Sequence, residues 1–470
     1  MSKKKFDPLA MAFPIIREFN IYCLSAGKKP QLICYRSGKY VIGDRRIEVH
    51  AQTQCMKEGI DPIKDHNITE IVKAVRRNAD VMPPEQLNNP KHQIIVFKNG
   101  VLDLRTMKLQ KHSPNYKYTI NIPHNFNPDA SCPKFDKFIA KVLPEKVSFD
   151  PATFTAPVSF DPSTFTDDDG ELWTSNSHLL IKQMMGYLMI PSTAFRKFFV
   201  LLGEGANGKS TLIEVIVEML GRENVSHQSL HDLAQRNFSK AELFGKLANT
   251  CADLESKDVK DSGLLKQIVA GDSMQYEKKF LDPFSGPATA RLLFSANKMP
   301  PIHDTSQAMA DRPVLIDFPV RIEEDDQDKT LIHKLTTEDE IEGIIVRYAI
   351  PGLQALLRAG KFNIPHKSLQ LLEEYRRRCD LLPYDHFTEF IDGCADEVES
   401  GFVTKVDFYR AYESWCKANS HSPFSLKEFN QRVCERFNIP RHSEYRAPGT
   451  RDRAWPGIKL NLPSGEGVKC

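Results

Sequence analysis

Short apolar runs alternate with longer helix-like stretches along the middle of this 470-residue chain. The runs at 198–202 and 291–296 are typical of strands that are buried on both faces of a sheet. An apolar stretch from Thr211 to Leu220 follows the first run, is long enough for a helix, and is closed by Gly221. This order of patterns predicts an α/β fold with a parallel sheet core, which we assign to residues 176–360.

The pattern is different before this region. Residues 1–142 combine strand-like runs at 31–35, 40–42 and 93–97 with the helical spacing of 68–77. Mixed periods of this kind predict an α+β domain ahead of the parallel sheet.

Residues 143–175 have the composition of a linker or an exposed insertion. The segment 147–155 is nearly repeated at 158–166, prolines are frequent, and acidic residues follow at 167–169. Two copies are too few for a solenoid. We interpret the acidic triplet as a solvated charge run, with metal binding as the alternative.

Composition narrows the class of protein. Hydrophobic residues make up 41% and charged residues 26%, as in soluble globular proteins. No apolar run reaches the roughly 18 residues that a membrane span needs. The basic start of the chain leads into no apolar signal core, so we expect a cytoplasmic protein without membrane contact. Ten cysteines stand without a Cys-x-x-Cys pair, which argues against a zinc ribbon and for reduced thiols.

The segment from Gly203 to Ser210 matches the phosphate-binding pattern G-x-x-x-x-G-K-[ST] at every fixed position. Glycines let backbone N–H groups approach phosphate oxygens, and the amino end of the following helix adds positive partial charge. In this chemistry Lys209 contacts the β- and γ-phosphates and the Ser210 hydroxyl is a ligand of Mg²⁺. A chance glycine turn is the alternative, but the strand before and the helix after favour a site for ATP with Mg²⁺. The predicted nucleotide contacts are Gly203, Gly205, Ala206, Asn207, Gly208, Lys209, Ser210 and Thr211.

Two acids and an amide follow later strand-like segments. Asp253 and Glu255 end a weakly apolar segment, and alternation places them on one face of an extended strand. Asn297 ends the next apolar run, where an amide is suited to hold the attacking water or the γ-phosphate. Taken singly, these residues can also be surface acids and a turn asparagine. The order Lys209, Asp253, Asn297 at three strand ends favours one catalytic site at the carboxyl edge of a parallel sheet.

Longer motifs surround these residues, at 99–104, 126–133, 205–211, 267–272, 294–300 and 310–313. Together they resemble the superfamily 3 helicases, specifically the AAA+ type found at the C-terminus of phage and plasmid primases and in poxvirus-like primase-helicases. The resemblance covers most of the chain. It implies that Lys209 and Ser210 bind nucleotide and Mg²⁺. It also implies that Asp253, a metal ligand, forms an acidic pair with Glu255, and that Asn297 is the sensor.

The chain departs from the family at two places. Leu254 separates the two acids, which leaves open which of them activates water. The family usually has two adjacent arginines before the last strand, whereas here Arg312 stands between Asp311 and Pro313. In ring ATPases an arginine from the neighbouring subunit stabilises the transition state, and this is the role that we expect for Arg312. A surface salt bridge is the alternative.

Further basic residues are candidates for DNA contacts. Lys278 and Lys279 are interpreted either as contacts to single-stranded DNA in a ring channel or as solvated lysines. Residues 361–470 end in two helix-like segments and a basic hairpin-like pair, which predicts a winged-helix-like domain that binds duplex DNA. A protein-docking module is the alternative. The predicted DNA contacts of this domain are Lys427, Arg432, Arg446, Arg451 and Arg453.

These patterns favour one function over two others. The favoured function is an ATP-dependent DNA helicase of a mobile element, phage or virus, which works as a homo-hexameric ring with a single strand in its channel. The alternative is an ATP-dependent initiator that binds and melts an origin without processive unwinding. A small-molecule kinase is disfavoured because no acceptor-site pattern is visible. Residues 1–140 contain no convincing polymerase-type acid pair, so a separate primase or polymerase would supply priming.

Overall fold

The computed structural model describes two compact units, Met1–Cys379 and Asp380–Cys470. The described residues are 6–60, 65–144, 177–229, 232–233, 237–252, 254, 262–300, 302, 306–378, 386–419, 423–437, 439, 445–447 and 452–461. The predicted linker at 143–175 lies outside them, apart from its first two residues.

The first unit begins with a small α+β layer that has its own core. Its elements are α1 (Pro8–Glu18), β1 (Tyr22–Cys23), β2 (Leu32–Arg36), β3 (Lys39–Ile42), α2 (Asp44–Lys57) and α3 (Asp65–Asn78). The three strands form an antiparallel sheet in the order β1-β2-β3. Ile15, Cys34, Ile47 and Val75 bring all of the helices and the sheet into one hydrophobic cluster. The predicted strands at 31–35 and 40–42 and the helix at 68–77 are therefore confirmed.

A second antiparallel sheet and a helix connect this layer to the central region. They are β4 (Ile94–Phe97), β5 (Gly100–Asp103), β6 (Lys108–Gln110) and α4 (Pro133–Val142). Phe97, Phe138 and Val142 are buried in the same hydrophobic cluster as the central sheet. The central core therefore includes segments from the predicted N-terminal domain.

A five-stranded parallel sheet forms the centre of the first unit. The strands of this region are β7 (Phe198–Leu202), β8 (Val225–Ser226), β9 (Ala248–Cys251), β10 (Ser273–Tyr276), β11 (Phe284–Pro287), β12 (Arg291–Ala296) and β13 (Pro313–Asp317). The sheet has the order β13-β7-β12-β9-β8, and β10 with β11 forms a separate antiparallel hairpin. Every residue of β7 and β12 is buried, as expected for strands covered on both faces. The predicted parallel sheet core is confirmed.

Helices cover this sheet. They are α5 (Ser177–Leu188), α6 (Lys209–Leu220), α7 (Asn237–Ala241), α8 (Ser262–Ala270), α9 (Gln307–Ala310), α10 (Leu331–Leu335), α11 (Glu338–Ile344), α12 (Ile350–Ala359) and α13 (His366–Arg378). A π-helical turn at Ile345–Ala349 joins α11 to α12. Single 3₁₀ turns lie at Pro84–Gln86, Pro90–His92, Pro114–Tyr116, Arg222–Asn224 and Glu324–Asp326. Because α13 packs on β13, the first unit extends beyond residue 361, where the sequence pattern placed a domain boundary.

The second unit is built around an aromatic core. Its elements are α14 (His386–Cys394), β14 (Ala395–Thr404), α15 (Lys405–Ala418), α16 (Leu426–Arg436) and β15 (Ala454–Leu460). The two strands pair antiparallel, with a register shift between Glu397 and Phe402. Phe408, Tyr412 and Trp415 of α15 are buried in this core, which agrees with their interpretation as a core stripe.

None of the described helices is long and apolar enough to cross a membrane.

Two glycines allow α5 and α12 to approach closely. A β-carbon at Gly186 would lie 2.2 Å from the carbonyl oxygen of Ala349. A β-carbon at Gly352 would lie 2.1 Å from the carbonyl carbon of Lys182. Any larger side chain must therefore push the two backbones apart.

We predict that Gly186→Ala lowers the free energy of unfolding by about 2 kcal/mol, because overpacking a dense core typically outweighs the gain in helix propensity. The measurement is urea unfolding followed by circular dichroism. The control is Gly263→Ala, at an exposed position of α8, which should be neutral or slightly stabilising. Equal stability of the two variants would contradict the close approach of α5 and α12.

Candidate nucleotide and DNA sites

The loop from Gly203 to Gly208 connects β7 to α6 in a conformation that glycine favours. Gly208 has φ +85° immediately before the first turn of α6, and Gly205 has φ +45°. A β-carbon at Gly205 would meet no atom within 4 Å, so the loop is open on that side. The backbone N–H groups at the amino end of α6 therefore face a space that can accept phosphate oxygens.

Lys209 is held inside this loop. Its side chain is buried at 6% exposure. The Nζ atom donates to the Gly203 carbonyl at 2.6 Å and to Asn207 Oδ1 at 2.8 Å. Asn207 is itself fixed, because its Nδ2 atom donates to the carbonyl of Phe318 beyond β13 at 3.3 Å. The sequence pattern predicts Asn207 as a nucleotide contact, and the structure shows in addition that it positions the lysine.

The cleft in front of the loop contains most of the predicted site. Its volume is about 360 Å³. The register of the sheet explains its position, since Leu202 lies opposite Ala296 on one side and Asp317 on the other. Asn297, which is exposed, therefore comes next to the P-loop. The lining residues are Gly205, Ala206, Asn207, Gly208, Lys209, Ser210, Thr211, Ala252, Ser295, Ala296 and Asn297.

The two predicted acids, Asp253 and Glu255, lie outside the described residues. Their neighbours are described. Ala252 lines the cleft, and the N–H of Leu254 donates to the Ser295 carbonyl at 2.8 Å. The chain thus runs from β9 along the end of β12, close to the P-loop, and the catalytic role of the acids stays a prediction.

Arg312 lies at the opposite edge of the sheet. The following residue, Pro313, pairs with Phe198 at the start of β7, whereas the P-loop follows the end of β7. The carbonyl of Arg312 accepts from the Phe198 N–H at 3.1 Å. Five residues of strand, about 17 Å at roughly 3.3 Å per residue, separate the arginine from the cleft of its own chain.

The structure adds basic residues that the sequence patterns did not single out. Arg321 lines a cleft of about 440 Å³ together with Glu204, Gly205, Ala206 and Asn297. At the other edge, Arg376 of α13 forms a salt bridge with Asp311 at 3.0 Å. Lys197 donates to the Asp311 carbonyl, and burial lowers the pKa of this lysine, partly countered by Asp311. None of these residues belongs to a motif, so only the tertiary contacts reveal them.

Lys278 and Lys279 lie between the two strands of the β10–β11 hairpin. Lys279 is exposed, with Nζ 5.8 Å from the ring centroid of Phe238. Lys278 is half-buried and lines a second cleft. Phe280 follows them with a side chain that is 89% exposed and a left-handed φ of +67°. The hairpin therefore presents cations and an aromatic ring together.

The basic candidates of the second unit have different environments. Lys427 is exposed on α16. Arg432 forms a salt bridge with Glu428 at 3.3 Å and stacks over the Phe424 ring at 4.1 Å. Its guanidinium group is therefore already in contact with side chains of its own unit. Arg446 and Arg453 face each other in an isolated antiparallel bridge. Arg451 lies outside the described residues.

Family models match three segments of this chain. Residues 25–144 match the model described as D5 N terminal like, and residues 384–453 match Poxvirus D5 protein-like. Residues 201–312, which include the P-loop, match a family of unknown function (DUF5906). The two D5 matches lie on either side of the P-loop region and confirm the predicted resemblance to poxvirus-like primase-helicases.

Individual relatives are distant. A putative helicase of Acanthamoeba polyphaga mimivirus is 22% identical over 405 residues, which cover 75% of this chain and 37% of that protein. The chain therefore spans little more than a third of the length of this relative. Among solved structures, an A form apo structure of the NrS-1 C terminal region has a TM-score of 0.48 at 11% identity, covering 95% of this chain and 99% of that chain. A second apo structure of the same region has a TM-score of 0.47 at 10% identity, covering 96% and 99%.

Proposed function

Because this chain is related to the poxvirus-like primase-helicases, we propose that it is an ATP-driven DNA helicase that works as a ring of identical subunits. One observation carries the proposal. Lys209, Ser210 and Asn297 line the same cleft at the carboxyl ends of parallel strands. We assign the activity to replication of a mobile element, phage or virus, in a cytoplasmic compartment, with priming by a separate primase or polymerase.

The residues of the P-loop fit the triphosphate of ATP. The open side of Gly205 and the amino end of α6 provide room and donors for phosphate oxygens. Gly203 and Asn207 keep the Lys209 ammonium inside the loop, where phosphate oxygens would replace them as acceptors. Mg²⁺, bound by Ser210 and Asp253, would neutralise charge on the β- and γ-phosphates.

Each proposed catalytic group has a separate role in hydrolysis. In this proposal Asn297 orients the attacking water or the γ-phosphate, since its amide can donate and accept without a change of protonation. Asp253 or Glu255 accepts the proton of that water. The position of Leu254 against Ser295 supports this assignment because it keeps the chain of the acids beside the end of β12.

The position of Arg312 supports a ring. The arginine is about 17 Å of strand away from the cleft of its own chain, so a neighbouring subunit must receive it if it is to contact a γ-phosphate. An arginine supplied in this way is worth about 10³ to 10⁵ in the rate of related phosphoryl transfers. We propose a hexamer with Arg312 at each interface.

DNA contacts are proposed at two places. Lys278 and Lys279 would contact a single strand in the channel, and their position in the hairpin, where Lys279 is exposed, supports this role. The second unit would bind duplex or origin DNA as a winged helix. Its antiparallel strand pair and the bridge of Arg446 with Arg453 support a basic wing.

An unwinding assay distinguishes the proposed helicase from the alternative, an ATP-dependent initiator. A forked duplex with a fluorophore and a quencher should be opened in the presence of ATP and Mg²⁺. ATP-dependent melting of an origin without opening of a generic fork would instead favour an initiator.

Lys209→Ala should lower the rate of ATP hydrolysis at least about 100-fold, because it removes a cation that stabilises the transferred phosphoryl group. The measurement is steady-state phosphate release. Since Lys209 is buried and bonded, thermal unfolding must show that the variant is folded. The matched control is Lys108→Ala, an exposed lysine of β6, and wild-type turnover in Lys209→Ala would refute the nucleotide site.

Mixing Arg312→Ala subunits with Lys209→Ala subunits should partly restore ATP hydrolysis. Some interfaces then combine an intact cleft with an intact arginine from the next subunit. The control mixture contains Lys209→Ala with Ser210→Ala, two variants of the same cleft, and should stay inactive. No restoration in rings that demonstrably contain both variants would place the action of Arg312 within its own chain, or exclude it.

Removal of the second unit should weaken duplex binding and leave ATP hydrolysis intact. The cut belongs after residue 379, because a cut at 401 would divide β14. Each lost phosphate contact should lower the slope of log affinity against log salt by about 0.9. Anisotropy of a labelled duplex at several salt concentrations measures this slope. Unchanged duplex affinity with loss of the oligomer would show that the unit mediates assembly.

A further inference from the structure

A cleft in the N-terminal layer of the first unit is strongly basic. It has a volume of about 700 Å³ and lies between the β1–β2 loop and the end of α3. Lys28, Lys29, Lys73, Arg76 and Arg77 line it, and none of its described lining residues carries a carboxylate. Cations gathered on one concave surface create a field that attracts anions.

The local helix structure explains the positions of only some of these cationic side chains. Arg76 and Arg77 end α3, where the helix dipole favours cations. Lys73 pairs with Glu70 of its own helix at 2.8 Å. Lys28 and Lys29 come from a different segment and are exposed. Because they lie opposite α3, they increase the positive charge of the cleft. Neither the helix dipole nor the pair of Lys73 with Glu70 explains why Lys28 and Lys29 lie there.

The loop that lines this cleft is hydrogen-bonded to the β10–β11 hairpin. The N–H of Lys29 donates to Asp282 Oδ2, and the N–H of Asp282 donates to the Lys29 carbonyl at 3.0 Å. A β-carbon at Gly27 would lie 2.2 Å from Asp282 Oδ2, so the loop and the hairpin are in close contact. The basic loop therefore lies directly beside the segment that presents Lys279 and Phe280.

A second cleft, of about 520 Å³, includes a residue of the hairpin itself. Lys278 lines it together with Arg36 and Arg46 of the N-terminal layer. Burial lowers the pKa of Lys246, a further lining residue, and the nearby Lys278 and Lys39 lower it as well, against Glu242 and Glu223. Positive charge from the N-terminal layer therefore lies close to the hairpin in both clefts.

We propose that the cleft of Lys28, Lys29 and Arg77 binds the phosphodiester backbone of single-stranded DNA, with a base of the same strand stacked on Phe280. The proposal rests on the proposed helicase function and adds a DNA site in the N-terminal layer. A single strand is favoured over duplex because stacking on the exposed ring of Phe280 requires an unpaired base. Backbone contacts to cations and base contacts to an aromatic ring together are typical of sites for single strands.

The first test uses the full chain with the substitutions Lys28→Gln, Lys29→Gln and Arg77→Gln combined. The matched control combines Lys91→Gln, Lys108→Gln and Lys111→Gln, three exposed lysines of the same unit that line neither cleft. Anisotropy of labelled oligo-dT should show at least about a tenfold loss of affinity for the first variant and little change for the control. The salt slope should fall by about 2 in the first variant, since each phosphate contact to a single strand contributes about 0.7.

A second test separates backbone from base contacts. Phe280→Ala should weaken oligo-dT binding roughly fivefold or more, because base stacking is lost. It should leave binding of an abasic strand of the same length unchanged. The triple cleft variant should weaken both strands. ATP hydrolysis without DNA should be unchanged in all variants, since none of the substituted residues lines the nucleotide cleft.

The outcomes distinguish this inference from the proposed function. If the wild type binds oligo-dT and the cleft variant binds equally well, the cleft is not a DNA site and the helicase proposal stands. Loss of duplex affinity only would overturn the assignment to a single strand. If the wild type itself binds no single-stranded DNA, the proposed function fails.

Discussion

The position of β7 between β12 and β13 determines where the P-loop, Asn297 and Arg312 lie relative to one another. Leu202, its last residue, is paired with Ala296 on one side and with Asp317 on the other. All three strands run in the same direction, so their carboxyl ends form a single edge. The P-loop and Asn297 leave from that edge and line one cleft, whereas Arg312 precedes β13 and lies at the other edge. One register therefore gives the central sheet two chemically different edges.

The N-terminal segments are part of the structure that supports the P-loop. A β-carbon at Gly208 would lie 2.7 Å from Val142 Cγ1 and 3.1 Å from the ring of Phe138, both on α4. The glycine thus serves the loop twice, through its left-handed backbone and through the space that it leaves for α4. His124 bonds the Glu218 carbonyl at 2.8 Å at the far end of α6. A change in the position of α6 must therefore be transmitted to residues before the linker.

Local chemistry along the chain was sufficient to predict the centre of the site. The strand at 198–202 and the helix closed by Gly221 are confirmed because each rests on neighbouring residues, and the loop with the P-loop pattern joins them. Contacts over long sequence distances could not be predicted. Gly27 meets Asp282 across more than half of the chain, and Asn207 holds Lys209 while bonded to Phe318. The acids Asp253 and Glu255 were predicted from alternation, and the described residues constrain only their neighbours.

The side that carries Arg312 is also positioned by residues distant in sequence. Arg376 of α13 donates to the Ala310 carbonyl at 2.6 Å and forms a salt bridge with Asp311, while Lys197 donates to the Asp311 carbonyl. These bonds fix the two residues that precede Arg312. The role of Arg312 itself is the one proposed above, at an interface between subunits. Because Lys197 precedes β7, the segment that carries the arginine is bonded to the strand that ends in the P-loop. The start of β7 and the segment that carries Arg312 are therefore held in position together.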